Sequence, residues 1–110
     1  MSGRLELVYG DGELSCRLRV DVDGGEVVRV AAAVKRHGAC TVAVAERRGG
    51  GGEARVLVSS PRGEVREVTV PGHTVLSWSG LLATVASSRS PAEAVASVVR
   101  HLSAEAGEVV

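Results

Sequence analysis

Residues 14–22 read Leu-Ser-Cys-Arg-Leu-Arg-Val-Asp-Val, the most regular alternation of apolar and polar side chains in the chain. Its apolar side chains occupy every second position: Leu14, Cys16, Leu18, Val20 and Val22. Polar side chains separate them. Successive side chains of a strand point to opposite faces, so this alternation predicts an antiparallel strand with one face in the core and the other in solvent.

Similar segments on both sides of this strand predict a sheet. Apolar residues also alternate over residues 5–9, ahead of a Gly-Asp-Gly turn at 10–12. Further strands are predicted over 39–46 (marked by Cys40, Val42 and Val44), over 54–58 and over 64–70. Four glycines at 49–52 lie between two of these strands, and Pro71-Gly72 ends the last one. Such turn residues between short alternating runs are typical of antiparallel hairpins.

Residues 26–37 fit two interpretations. As a strand, the segment would follow a hairpin turn at Asp23-Gly24-Gly25. As a helix, it would stack Val27, Val30, Ala31 and Val34 on one face, with Asp23 as cap and Gly38 as the terminating residue. Three consecutive alanines favour the helix, which is the preferred interpretation here.

The C-terminal third predicts two helices. Val75, Trp78, Leu82 and Val85 form one apolar stripe, and Ser90-Pro91-Ala92-Glu93 begins a second helix that ends near Gly107. Serine as cap, proline at the first position and glutamate at the third are a favoured helix start. We therefore expect one α+β domain over residues 1–110, an antiparallel sheet with two C-terminal helices packed on one face.

Composition is consistent with an ordinary globular domain. Hydrophobic residues make up 45% and charged residues 24%, and thirteen basic side chains balance thirteen acidic ones. A neutral total provides no overall field that would attract nucleic acid or an anionic membrane. Lys35 is the only lysine, and asparagine and glutamine are absent, which favours a thermophilic source.

The two cysteines and the N-terminus predict a location. Cys16 and Cys40 are expected to be reduced, buried small hydrophobes rather than a disulfide. The N-terminus has no charged segment followed by an apolar one, and no apolar run is long enough to span a bilayer. We expect a cytoplasmic protein that does not span a membrane.

No motif predicts catalysis. The four glycines lack the GK[ST] and the following helix that a phosphate-binding loop requires, and Ser77-Trp78-Ser79-Gly80 is not a nucleophile elbow. The three histidines are scattered, and His37 with Cys40 supplies only two ligands of a zinc site. We predict no catalytic residue, cofactor, metal or small-molecule substrate, so the protein is not expected to be an enzyme. An enzyme whose site forms only between chains, around His73 or Asp21, has no supporting motif.

Arginines near the glycine loop allow two interpretations. The cluster consists of Arg47, Arg48, Arg55 and Arg62. On one sheet face they could contact an RNA backbone. Glutamates alternate with them, however, and no aromatic residues are nearby to stack on bases. An ion-paired, solvated face is therefore the favoured interpretation.

One helix stripe is a candidate interface. Trp78 is one of only two aromatic residues, and it shares a predicted helix face with Val75 and Leu82. Tryptophan often anchors protein interfaces, so these three residues are the predicted contact for a homodimer or another protein partner.

The order of segments resembles a known family. The alternating residues 18–22 run into the Ala/Val segment 23–34, a hairpin follows (41–45 and 55–58), and residues 74–82 read as a helix. This arrangement resembles the small Pcc-type subunit of the KEOPS complex, which modifies tRNA. The resemblance implies a strand-helix-strand-strand-helix unit that dimerises and scaffolds kinase-like and transferase subunits without catalysis.

These observations predict a non-catalytic protein-interaction or assembly subunit, with a scaffold of a tRNA-modification complex as its most specific version. The alternative is a small RNA-binding module that uses the arginines.

Overall fold

A computed structural model describes the protein over residues 2–10, 12–24, 26–47, 52–71 and 83–105. Its strands are β1 (Ser2–Gly10), β2 (Leu14–Asp23), β3 (Glu26–Arg36), β4 (Ala39–Arg47), β5 (Glu53–Ser59) and β6 (Val65–Pro71). They form one sheet in the order β1-β2-β3-β4-β5-β6, and every neighbouring pair is antiparallel. Two helices follow in the described residues, α1 over 83–86 and α2 over Pro91–Glu105. The predicted α+β class, an antiparallel sheet with two C-terminal helices, is confirmed.

Helix α2 covers one face of the sheet, which we call the core face. It packs across β2, β3 and β4 and reaches β1 and β5. The buried apolar residues of this layer are Cys16, Leu18, Val20, Val27, Val30, Ala32, Ala43, Ala45, Ala54, Val56, Val58, Ala94, Val95, Val98, Val99 and Leu102. Each fully buried valine or leucine stabilises the fold by about 1.5–3 kcal/mol, so this face supplies the core of the domain.

The further helix predicted over residues 26–37 is wrong, because Glu26–Arg36 form β3 between β2 and β4. Arg29 pairs with Asp21, and Val27 pairs with Val22, the next residue of β2. Val28 therefore has no opposite residue in β2. This β-bulge brings Val27 and Val30 onto the same face, where both are buried. A spacing of three residues is also what a helix face shows, so the bulge produced a helical pattern in a strand.

The turn after β3 explains why the predicted helix end is a hairpin instead. His37 and Gly38 both have positive φ, 51° and 81°, as the two central residues of a type I′ turn require. The backbone N–H of His37 also donates to the carbonyl oxygen of Glu13 at 3.1 Å. Pairing with two neighbouring strands outweighs the helix preference of three alanines, which amounts to a few tenths of a kcal/mol per residue.

The start of α2 is as predicted. The hydroxyl Oγ of Ser90 accepts a hydrogen bond from the backbone N–H of Glu93 at 3.2 Å. The Ser90 carbonyl accepts the first helical bond, from Ala94 at 3.0 Å, and Pro91 is the first helical residue. The Glu93 carboxylate accepts from the backbone N–H of Arg89 at 3.2 Å. The bond to Ser90 satisfies the N–H of Glu93, one of the groups that a helix start leaves without an intrahelical partner.

The two cysteines differ in exposure. Cys16 is buried in the core and Cys40 is exposed, and both are free thiols. The prediction of two buried cysteines is therefore right for Cys16 and wrong for Cys40. Cys40 lies opposite Lys35 near the turn after β3, on the face of the sheet that α2 does not cover.

Candidate interaction surface on the outer face of the sheet

The face turned away from α2, here called the outer face, carries an apolar centre. Strand alternation and register place five half-buried apolar residues together on β3, β4 and β5: Ala31, Ala33, Val42, Val44 and Leu57. Ala31 lies opposite Val44, which lies opposite Leu57. We call this group the outer patch. A sheet with one free face normally shows polar residues there, so an apolar centre on this face requires an explanation.

In the middle of β4 the larger side chains point outward. Ala43 and Ala45 are fully buried on the core face, whereas Val42 and Val44 belong to the outer patch. Small residues on the core face allow α2 to approach the middle of the sheet closely. The central parts of β3 and β4 are thus apolar on both faces, which is typical of strands that are covered on both sides.

Charged residues border the outer patch on one side. A cross-strand row with alternating charge runs over β1 to β5: Arg4, Asp21, Arg29, Glu46 and Arg55. Arg4 Nε donates to Asp21 Oδ1 at 2.9 Å, and Arg29 Nε lies 3.8 Å from Glu46 Oε2. At the far end, Arg55 binds both carboxylate oxygens of Glu67, Nε at 2.6 Å and an Nη at 3.3 Å. Opposite charges on neighbouring strands stabilise the sheet modestly and fix its register.

Asp21 is the most strongly held carboxylate of this row. The hydrogen bond from Arg4 lowers the pKa of Asp21 below its usual value, and the charges of Arg19, Arg4 and Arg29 lower it further, against an opposing effect of desolvation. Arg19 Nε lies 3.7 Å from the Asp21 carboxylate. The neighbouring arginines therefore stabilise the ionised form of Asp21.

The arginines of the predicted cluster that the structure describes lie on different surfaces. Arg47 lies opposite Ala54 and shares its face, the core face, where it is 3.2 Å from Glu26 and donates to the carbonyl of Val27 at 3.3 Å. Arg55 projects from the outer face and binds Glu67. Arg62 is exposed in the turn between β5 and β6, at the opposite end of these strands. Arg48 lies outside the described residues. Arg47, Arg55 and Arg62 thus do not share one surface.

The predicted helix interface falls largely in a part of the chain that the structure does not describe. Val75, Trp78 and Leu82 all lie outside the described residues. Val85, from the same predicted stripe, is half-buried and packs against the core.

Sequence reasoning missed the outer patch. A helix over residues 26–34 would keep Ala31 and Ala33 out of the sheet, and the strand predicted over 39–46 has one apolar side, marked by Cys40, Val42 and Val44. A usable signal was present, because residues 39–45 read Ala-Cys-Thr-Val-Ala-Val-Ala with no charged residue. A run of this length that contains one threonine and is otherwise apolar predicts a strand that is largely apolar on both faces.

Within the described ranges, no three His, Cys, Asp or Glu side chains come together in a group that could hold a metal ion. None of the described helices is long and apolar enough to cross a membrane. No family model, curated protein or solved structure matches this chain.

Proposed function

We propose that the protein is a non-catalytic interaction subunit that binds a partner protein through the outer patch. The observation that supports this is the outer patch itself, where Val42, Val44 and Leu57 are directed away from the core. Helix α2 covers the small residues of the core face, and a helix of a partner is the matching cover for the outer face. Its apolar side would lie on the outer patch, and its polar flank would meet the charged row.

Leu57→Arg and Val44→Arg test this proposal. Each places a charge in the middle of the patch, and we expect partner retention to fall by roughly tenfold or more, since a buried unpaired charge weakens binding strongly. Val65→Arg, at a position that is 63% exposed at the start of β6 on the same face, is the matched control. Affinity capture from the source cells with quantitative mass spectrometry measures the loss, and circular dichroism confirms that each variant folds. A partner held equally by all variants, or no partner at all, would contradict the proposal.

The tRNA-modification scaffold is the most specific version of this proposal and rests on the sequence resemblance alone. That resemblance assigns residues 26–34 to a helix, whereas they belong to β3. Mixing the purified protein with kinase-like and transferase subunits from the same organism tests it directly. Co-elution that Leu57→Arg abolishes would support this version.

RNA binding through the arginines is the weaker proposal. Arg47 and Arg55 project from opposite faces, and each is engaged with a glutamate, Glu26 and Glu67 respectively. A guanidinium that is paired with a carboxylate attracts phosphate less strongly, because the carboxylate offsets its positive charge. No observation on the described residues favours this alternative.

A further inference from the structure

Strand β1 is one edge of the sheet, and its outer-face residues carry a particular order of charges. Arg4 and Glu6 are two positions apart, so both project from the outer face. Their side chains are 51% and 54% exposed. On the core face between them, Leu5 is 43% exposed although it belongs to an apolar strand face. Edge strands with exposed apolar residues are templates for pairing with another chain.

We infer that two copies of the protein pair through β1, antiparallel and about a two-fold axis at Leu5, and so join their sheets. In this register Leu5 lies opposite Leu5 of the second copy, and each Arg4 lies opposite the Glu6 of the other copy. The same register places Leu7 opposite Gly3, where a Cβ atom added to the glycine would meet nothing within 4 Å.

Charge complementarity selects this register. A two-fold axis normal to the sheet pairs residues that project from the same face. Centring the axis on Arg4 would place two arginines opposite each other, and centring it on Glu6 would place two glutamates opposite each other. Like charges in direct opposition destabilise a sheet, whereas opposite charges stabilise it.

The pairing also continues the charged row of each chain. Asp21 binds Arg4 at 2.9 Å, and the carboxylate of Glu6 lies 3.9 Å from Arg19. From one sheet to the other, the charged side chains then follow each other as Asp21 and Arg4 of one copy, then Glu6 and Arg19 of the second copy. Four charges then alternate in sign over four strands, and the two-fold axis creates this arrangement twice.

The other edge of the sheet lacks this property. In β6 the two neighbouring charges, Arg66 and Glu67, are adjacent in sequence and so project from opposite faces. They cannot lie opposite each other across a two-fold axis. Centring the axis on either one would oppose like charges. Pro71, which has no N–H to donate, ends this strand. The edge at β1 is therefore the one suited to a second copy.

A charge-exchange experiment tests the inference. Light scattering with size-exclusion chromatography is expected to give twice the 11.3 kDa chain mass for the unmodified protein. Arg4→Glu opposes glutamates and Glu6→Arg opposes arginines, so each variant alone should elute as a monomer, its dissociation constant raised roughly tenfold or more. Mixed in equal amounts, the two variants should form a heterodimer, because each arginine again faces a glutamate. Arg62→Glu, in the distant turn between β5 and β6, is the matched charge change and should remain dimeric.

A cysteine placed at the axis provides a second test. In a Cys40→Ser background, Leu5→Cys is expected to form a disulfide-linked dimer under mild oxidation, because residue 5 faces its own copy. Leu7→Cys is the control, since residue 7 faces Gly3 of the other copy and should cross-link much more slowly. A monomeric unmodified protein, a dimer that survives both charge variants, or equal cross-linking at the two positions would overturn the inference.

Discussion

Asp21 lies beside several guanidinium groups on the outer face. Arg4 donates to its carboxylate at 2.9 Å, and Arg19 lies 3.7 Å away. These groups hold the pKa of Asp21 below its usual value. A carboxylate whose pKa is lower in the folded than in the unfolded state stabilises the fold at pH values above the unfolded pKa. That stabilisation is lost as the pH falls through the folded pKa.

We therefore predict a pH-dependent effect of Asp21→Asn. Near neutral pH the variant should be less stable than the unmodified protein by about 0.5–1 kcal/mol, the range of a partly exposed ion pair. The difference should shrink as the pH falls below the usual aspartate pKa of about 3.9. Urea unfolding at a series of pH values measures it, with Asp23→Asn at the exposed end of β2 as control. A difference that stays constant down to acid pH would show that the ion pairs are not its cause.

At the scale of elements, the turn between β3 and β4 joins the two middle strands of the sheet. Gly38 has φ of 81°, and a side chain there would meet nothing within 4 Å. A substitution at this position would therefore suffer from backbone strain and not from a steric clash. His37, at φ 51°, is the only non-glycine residue with positive φ among the described residues.

Gly38→Ala is expected to destabilise the protein by about 1–2 kcal/mol, because the left-handed conformation is costly for a residue with a Cβ atom. His37→Asn should be neutral or stabilising, since Asn-Gly is the preferred pair for a type I′ turn. Thermal or urea unfolding of both variants separates the two effects. Equal destabilisation by both would argue against a turn controlled by backbone conformation.

At the scale of the whole molecule, α2 is what converts a six-stranded sheet into a folded domain. Val95, Val98 and Leu102 of this helix are fully buried against strands that supply the rest of the core. Without the helix, the core face would be exposed along β2, β3 and β4. A sheet with an apolar face needs a layer that covers this face to be stable in water.

We predict that a chain truncated after Arg89 loses cooperative unfolding and tends to aggregate. Leu102→Ala is the milder version and should cost about 2–5 kcal/mol, as expected for a buried leucine that leaves a cavity. Val65→Ala is the control, because Val65 is 63% exposed and its removal should change stability little. Urea unfolding monitored by circular dichroism measures all three. A truncated chain that still unfolds cooperatively would show that the sheet is stable without α2.

Features that depend on neighbouring residues could be predicted from the amino-acid order. The alternation over residues 14–22 identified β2 and its buried face, and Ser90, Pro91 and Glu93 identified the start of α2. Both signals are local, since side-chain period and helix capping act over a few positions. The α+β class followed from them.

Features that depend on pairing between distant strands could be read only from the assembled fold. The bulge at Val28 changed which side chains of β3 face the core, and a helix-like pattern resulted. Whether alanines or valines of β4 face α2, and whether Arg47 and Arg55 share a face, depends on register against strands elsewhere in the chain. A shift of one residue reverses every side chain of a strand, and register is set by the whole sheet and by the helix packed on it. The outer patch and the edge at β1 therefore became visible only when the strands were assembled.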